Sequence, residues 1–131
     1  MSDPKKLKVL PKAKNVAVEC RKVAQRIRGI ENISFRAQIT RAAFSIPTNI
    51  IEGNGLQSAK EYGRYVRTAI NSSNELDFHI ETVAELELIP QQSAAGLLKR
   101  NEEVRRMLSG LLRYLDRKAK EEDERKKRKK I

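Results

Sequence analysis

Side chains able to perform catalytic chemistry are few in this chain of 131 residues. His79 is its one histidine, so no second histidine can share a metal ion with it. Glu81 and Glu85 are one helical turn apart, but the histidines that carboxylate-bridged metal bundles place at this spacing are missing. The segment 53–55, Gly-Asn-Gly, lacks the lysine of a phosphate-binding loop, and Ser45 does not stand in a nucleophile elbow. We predict that the protein is not an enzyme and that it holds no metal and no cofactor.

The two remaining reactive residue types favour structural interpretations. His79 falls among apolar positions such as Leu76 and Val83, which favours a core or interface histidine over a general base. Cys20 is the single cysteine and lies on an apolar helical stripe. A buried, small hydrophobic side chain is therefore favoured over a reactive thiol.

The chain has a large excess of positively charged side chains. Lys and Arg number 28 against 17 Asp and Glu, which gives a formal net charge of +11 at pH 7. Residues 5–28 hold nine cations and one acid, residues 91–131 hold 14 and seven, and residues 58–90 hold three and six. Such a surplus attracts polyanions and steers them over a distance. Nucleic acid is the predicted partner; the alternative is a solvated surface that needs no ligand.

Apolar residues recur at three- and four-residue steps in the segments that must position these charges, which predicts amphipathic helices. Pro11 suits the first turn of helix one, and the apolar stripe that follows stops at Gly29. Helix two should run from about Ser34, its predicted N-cap, to Glu52.

The second half of the chain predicts two longer helices. Ser58 is followed three residues later by Glu61, the arrangement of a capping box at the start of helix three. Pro90 should break that helix, and Ser93 offers a restart for helix four. The buried seam of helix four should consist of Leu97, Asn101, Val104, Leu108, Leu111 and Leu115.

Long helices joined by short turns predict an all-α fold, an antiparallel up-down-up-down four-helix bundle over residues 1–120. The first and last helices of such a bundle are neighbours, so their basic faces should merge into one electropositive side. The predicted nucleic-acid contacts are Lys12, Lys14, Arg21, Lys22, Arg26, Arg28, Arg105, Arg106, Arg113, Arg117 and Lys118. With few aromatic residues for base stacking, recognition should be of backbone and shape.

Helix two carries a proline within its apolar periodicity. Pro47 removes a backbone donor and clashes with the carbonyl of Ala43, so the helix should be kinked there. Ser45 and Asn49 flank the proline and can bond freed backbone groups. The segment 53–55 tolerates positive φ and should close the helix.

The charged tail, residues 121–131, has two interpretations. Six consecutive cations over 125–130 are typical of an arm that binds nucleic acid. They follow four acids over 121–124, and pairs such as Glu121 with Arg125 and Glu122 with Lys126 could instead extend helix four. An extension of this kind would be exposed and frayed.

The stretch 45–55, SIPTNIIEGNG, with Gln38 and Arg41 upstream, resembles the Q-x-x-R-A-A-x-S-I-P-x-N-I-A-E-G signature of the 23S rRNA-intervening sequence proteins. The opening LKVLPKA and the stretch SAKEYGRYVRTAINSSNEL extend the resemblance over nearly the whole chain. Leu10 stands where the family usually has Trp, Ile51 where it has Ala, and Leu88-Ile89-Pro90 where it has Gly-Tyr. The resemblance implies a four-helix bundle, rings of five subunits and RNA as the nucleic acid. Relatives include the accessory variability proteins of diversity-generating retroelements.

The signature residues favour a structural role over a ligand site. Arg41 and Glu52 are eleven residues apart, about three helical turns, so they lie on one side of helix two. Glu75 of helix three can face that side, which predicts a carboxylate and guanidinium network between helices or between subunits. The predicted structural set is Gln38, Arg41, Ser45, Pro47, Asn49, Glu52, Gly53 and Glu75.

Helix two also has more apolar surface than a single bundle uses. Phe44 and Ile51 lie outside its main stripe and are the predicted oligomer interface. A second apolar face suits a heterologous, ring-closing contact, and an acidic helix three could meet basic helix one of a neighbour. We expect a homo-oligomer, a pentamer by the resemblance.

Two functions stay open at this point. One is a homo-oligomeric scaffold that binds structured RNA or DNA; the other is a protein-interaction module, such as an accessory subunit of a reverse transcriptase. The opening MSDPKKLKVL has no sustained apolar region of the kind a signal peptide needs, and no run reaches the ~18 apolar residues of a membrane span. We expect a cytoplasmic protein without a membrane partner.

Overall fold

The structure, a computed structural model, describes residues 4–130, with side chains from residue 8 onward. It consists of helices α1 (Pro4–Arg26), α2 (Ile33–Asn54), α3 (Ala59–Glu85) and α4 (Gln91–Lys129), with a short 3-10 turn over Ile30–Asn32. These residues include no strand. Residues 1–3, at the start of the predicted bundle, and Ile131, the end of the predicted tail, lie outside the described residues.

The packing order of the helices is that of an up-down-up-down bundle. Each helix packs against its neighbours in the chain, and α1 also packs against α4. Within residues 4–130 no Cα atom of α1 lies within 8 Å of one in α3, and none of α2 lies within 8 Å of one in α4. The predicted all-α four-helix bundle is therefore confirmed. A ring of subunits stays a prediction.

The core of the bundle is mainly aliphatic. All members of the predicted α4 seam are buried, including Asn101. Tyr62, in the first turn of α3, is a fully buried aromatic residue. Cys20 is buried on α1, as predicted, and burial raises the pKa of its thiol to about 12.

The predicted start of helix one is wrong. Helix α1 begins at Pro4, and Pro11 lies within it. Pro4 and Pro11 are both suited to a first helical turn, and the helix begins at the earlier of the two. At the other end, Gly29 takes φ 97°, a conformation that favours glycine, and turns the chain toward α2.

Helix α2 runs through Pro47 without interruption as a helix. Asn49 Nδ2 donates to Ser45 O at 2.7 Å and to Ser45 Oγ at 3.1 Å, one turn earlier. The kink at Pro47 stays a prediction. The predicted Ser34 cap is wrong, because α2 begins at Ile33 after the 3-10 turn and the residue before it, Asn32, makes no side-chain cap.

The predicted positive-φ turn at the end of α2 is also wrong. Gly53 and Asn54 are still helical, and Gly55 ends the helix with φ −73°. Gly53 is buried, and a Cβ atom there would lie 2.7 Å from Tyr62 Cδ1 and 2.8 Å from Tyr65 Cβ. Glycine is therefore needed at residue 53 for the close approach of α2 to α3.

The start of α3 follows the prediction, and the start of α4 does not. Ser58 is the N-cap of α3, and Glu61 N donates to its Oγ at 3.3 Å. After α3, Glu87 adopts φ 59°. Its backbone N donates to Ala84 O at 3.0 Å, and Leu88 N donates to Val83 O at 2.9 Å. This pattern is a Schellman-type cap. Helix α4 then begins directly after Pro90, so the predicted restart at Ser93 is wrong.

The carboxyl-terminal tail continues α4 as far as Lys129. Residues 123–130 are exposed, and we call them the α4 overhang. The acids that precede the cations have other partners than predicted: Glu121 binds Lys118 at 3.6 Å, and the Glu122 carboxylate accepts from Ala59 N at 3.2 Å. Glu122 of α4 therefore binds the first turn of α3.

Candidate functional site

The signature residues of α2 meet polar residues of α3 along one line, which we call the α2–α3 seam: Gln38, Arg41, Ser45, Asn49, Ser72, Glu75 and His79. Arg41 forms an ion pair with Glu75 across the two helices. Gln38 Oε1 accepts from Arg41 Nη2 at 2.8 Å, which fixes the guanidinium. Further along, Ser45 Oγ and Ser72 Oγ lie 2.8 Å apart. The seam sets the register of α2 against α3.

Glu75 is the centre of this seam. His79 Nε2 lies 3.1 Å from Glu75 Oε2, and Arg41 binds the same oxygen. The hydrogen bond from His79, followed by that from Arg41, holds the pKa of the Glu75 carboxyl below its ordinary value. His79 itself is mostly buried, and its ring meets Phe78 edge-on with centroids 5.6 Å apart.

Glu52 lies outside the predicted network. Its side chain is exposed and forms no ion pair with any residue in the described part of the chain. The predicted network of Arg41, Glu52 and Glu75 is therefore reduced to Arg41 and Glu75, joined by His79. This network is at the surface and not buried, because the Arg41 and Glu75 side chains both retain solvent exposure.

A second polar cluster, which the sequence did not single out, joins α3 to α4. Asn101 is fully buried and donates to Ser73 O and Asp77 Oδ1, each at 2.8 Å. Ser73 Oγ donates to Asn101 Oδ1 at 2.8 Å. Arg105 Nη2 lies 2.7 Å from Asp77 Oδ2. The signal in the sequence was an asparagine in the otherwise apolar α4 seam.

This α3–α4 cluster removes Arg105 from the predicted nucleic-acid surface. Its guanidinium also donates to Ser73 Oγ at 2.9 Å, so it points between the helices. Four other cations of that predicted surface are paired with acids. The pairs are Lys12 with Glu103, Lys22 with Glu19, Arg106 with Glu102 and Lys118 with Glu121.

The remaining cations of the predicted surface are exposed or half-exposed and form no ion pair with a described residue. These are Lys14, Arg21, Arg26 and Arg28 on the α1 side and Arg113 and Arg117 on α4. Lys14 and Arg21 lie about half a helical turn around α1 from Lys12, the residue that reaches α4. The basic residues of α1 therefore divide between two sides, and only part of them adjoins α4.

Arg21 lines an open groove of about 670 Å³ between α1 and α2, which we call the α1–α2 groove. Its floor is apolar, with Ala24, Ala37 and the half-exposed Ile33. Its other walls are Gln25, Arg36, Thr40 and Arg41. Arg36 Nη1 donates to Ile27 O at 2.9 Å and Gly29 O at 3.0 Å, which ties α2 to the turn that follows α1.

The outer face of α3 near its end is acidic, whereas the α1–α2 groove is cationic. Phe78 is 64% exposed there, and Leu86 is 52% exposed. Glu81 and Glu85 lie beside them, both exposed and without an ion pair in the described chain. We call these residues the α3 patch.

The described residues form neither a metal centre nor a membrane span. Residues 4–130 contain no group of three or more His, Cys, Asp or Glu that could hold a metal ion. Among their helices, none is long and apolar enough to cross a membrane.

An antiparallel four-helix bundle, with signature residues along its α2–α3 seam, defines the class of this protein. The model of the 23S rRNA-intervening sequence protein family matches residues 5–110. The chain belongs to that family.

A solved structure shows the same fold. It is the crystal structure of a protein of unknown function from the S23 ribosomal protein family of Bacteroides thetaiotaomicron VPI-5482. The two chains are 21% identical, superpose with a TM-score of 0.75, and align over 79% of this chain and 97% of the other. A comparison with curated proteins gives no match.

Proposed function

We propose that this protein is a non-enzymatic, homo-oligomeric scaffold that binds the phosphate backbone of structured RNA. The observation that supports this most is the unpaired positive charge on α4. Arg113 and Arg117 are exposed there without an ion pair to a described residue, and the α4 overhang adds six cations over 125–130. A net charge of +11 raises the encounter rate with any polyanion.

The scarcity of exposed aromatic side chains agrees with recognition of the shape and backbone of a nucleic acid, and not of its bases. Base readout in single strands needs exposed aromatic side chains for stacking. Among residues 8–130, Phe78 is the exposed aromatic residue, and it lies beside acids. Tyr114 is half-buried, with Lys118 Nζ 5.8 Å from its ring centroid. The family name ties its members to 23S rRNA, which favours RNA over DNA as the ligand.

Binding should be tested with the full chain and fluorescently labelled nucleic acids at low salt. We expect similar affinity for RNA hairpins of different sequence and equal length, because phosphate contacts carry no sequence information. An unstructured single strand should bind more weakly than a hairpin. If no structured RNA or duplex binds at about 50 mM salt, the proposal is overturned.

Assembly as a closed oligomer, a pentamer by the family expectation, is the second part of the proposal. Ile51 is 57% exposed on α2, whereas Phe44 is partly buried against the core. Of the two predicted interface residues, Ile51 is therefore the one available to another subunit. Light scattering at micromolar concentration should give a multiple of 15.0 kDa. A stable monomer would contradict this part.

A protein-interaction module is the second candidate function, with a reverse transcriptase as one candidate partner. Exposed, large apolar side chains favour it: Ile30, Ile33, Ile51, Phe78 and Leu86. Apolar exposure of this kind marks protein contacts more than nucleic-acid contacts. A chain that assembles but binds no RNA would support this candidate.

A further inference from the structure

Two surfaces at one end of the bundle have complementary character. In an up-down-up-down bundle the α1–α2 connection and the α3–α4 connection lie at the same end, so the α1–α2 groove and the α3 patch share that end. The groove is cationic around an apolar floor, and the patch is acidic around an exposed phenyl ring. Within one copy, Phe78, Glu81 and Glu85 make no described hydrogen bond or ion pair with a residue of the groove.

The cations of the groove are available for a partner. Arg21 is exposed and has no ion pair with a described residue. Arg36 is held in place by two backbone carbonyls, and no described carboxylate neutralises it. A guanidinium that is already fixed loses little conformational entropy when an acid binds it. Ile33, 51% exposed at the groove, is apolar surface that a partner would cover.

The α3 patch supplies the matching groups. Phe78 projects from the outer face of α3, and its described ring contact is with His79 alone. Glu81 and Glu85 follow it at three and seven residues, so all three lie on one stripe of the helix. A helix that presents an aromatic anchor followed by two carboxylates fits a groove with an apolar floor and arginine walls.

We propose that the α1–α2 groove of one copy receives the α3 patch of a second copy, with Phe78 over the apolar floor and Glu81 and Glu85 toward Arg21 and Arg36. The interface is heterologous, since each copy uses one surface to bind and offers the other. Repetition around an axis then closes a ring and leaves no free groove. This inference rests on the assembly part of the proposed function and names two contacting surfaces, which do not include Ile51 near the other end of α2.

The proposal removes Arg21 from the nucleic-acid surface and assigns it to the interface between subunits. Nucleic acid would then bind the outer side of α4, where Arg113 and Arg117 lie. The two activities therefore depend on different residues and can be separated by mutation.

Charge reversal tests the interface in the full chain, with mass measured by light scattering over a dilution series. Arg21→Glu alone and Glu81→Arg alone should each raise the protein concentration needed for half-maximal assembly by at least about tenfold, since like charges then face each other. The double variant Arg21→Glu/Glu81→Arg should recover most of the wild-type affinity. Arg117→Glu, an exposed and unpaired site on the described part of α4, is the matched control and should assemble normally.

The results that would overturn the proposal are equally definite. They are a wild-type monomer, single variants that assemble like the wild type, or a double variant no better than the singles. Arg21 and Glu81 are both exposed, and circular dichroism should confirm that the variants fold. RNA binding is measured in parallel: Arg21→Glu that weakens RNA affinity at unchanged mass would place the groove in the nucleic-acid surface and contradict the proposed interface. Absence of RNA binding by the wild type would refute the proposed ligand and leave the assembly result standing.

Discussion

Gly53 of α2 lies directly against the ring of Tyr62 of α3. A Cβ atom at residue 53 would be 2.7 Å from Tyr62 Cδ1, closer than side-chain carbons approach in folded proteins. Tyr62 is fully buried and cannot move aside without disturbing the core. Glycine at residue 53, near the end of the signature segment, is therefore required for α2 and α3 to pack this closely.

Gly53→Ala should destabilise the bundle by about 1–3 kcal/mol, the usual cost of overpacking a core. Gly96→Ala is the matched control, because a Cβ atom there meets no other atom within 4 Å. That variant should be neutral or more stable by up to about 1 kcal/mol, since alanine favours helix over glycine. Urea unfolding followed by circular dichroism measures both. Equal effects of the two substitutions would contradict the packing explanation.

The α3–α4 cluster should behave as a coupled unit. Asp77→Asn and Arg105→Gln each leave a partly buried partner without its opposite charge, so the double variant should cost less than the sum of the singles. We expect a coupling energy of about 0.5–3 kcal/mol from a double-mutant cycle in urea. Arg106 with Glu102, an exposed pair on the same helix, is the control and should couple by about 0.5 kcal/mol or less. Strictly additive effects at Asp77 and Arg105 would show that the cluster is not cooperative.

Glu75 should make stability depend on pH. Because its pKa is lowered in the folded state by the hydrogen bond from His79 and by Arg41, its contribution is fully present above the unfolded pKa, about 4.3 for glutamate. That contribution disappears as the pH falls through the folded pKa. The stability difference between wild type and Glu75→Gln should therefore shrink in acid. Carbon NMR titration of the carboxyl should show the lowered pKa, and His79→Ala should raise it; an unchanged titration in that variant would contradict the assigned cause.

Glu122 should stabilise the first turn of α3 from α4. Its carboxylate accepts the Ala59 amide at 3.2 Å, where a negative charge also meets the positive end of the helix dipole. Glu122→Ala should cost about 0.5–1.5 kcal/mol. Glu124→Ala, an exposed acid two residues later, should change stability little. Hydrogen exchange at the start of α3 should speed up in the first variant and not in the second.

The helices themselves could be predicted from the sequence because their patterns are local. The α4 seam has an uninterrupted apolar period, and the Ser58 cap needs only Glu61 three residues later. Helix starts were harder. Ser34 and Ser93 are reasonable caps by residue type, but the backbone had already turned helical before each of them, after the 3-10 turn and after Pro90.

The candidate site could be predicted from the sequence only in part. Arg41 and Glu75 were expected to meet, and they do. Glu52 shares the side of α2 with Arg41, yet periodicity does not say which α3 residue lies opposite each turn. For the same reason the division of the α1 cations between two sides was missed, since it depends on where α2 and α4 pack.

The proposed RNA-binding surface is tested most directly by the salt dependence of affinity for a duplex or hairpin. For the wild type, the logarithm of the association constant should fall linearly with the logarithm of salt concentration. Arg113→Gln/Arg117→Gln should reduce the magnitude of that slope by about 1 for each phosphate that is no longer neutralised. Arg106→Gln/Lys118→Gln, which removes two paired cations from the same helix, should reduce it less. A wild-type affinity that does not change up to about 0.5 M salt, or equal slopes in all three proteins, would contradict backbone binding through α4.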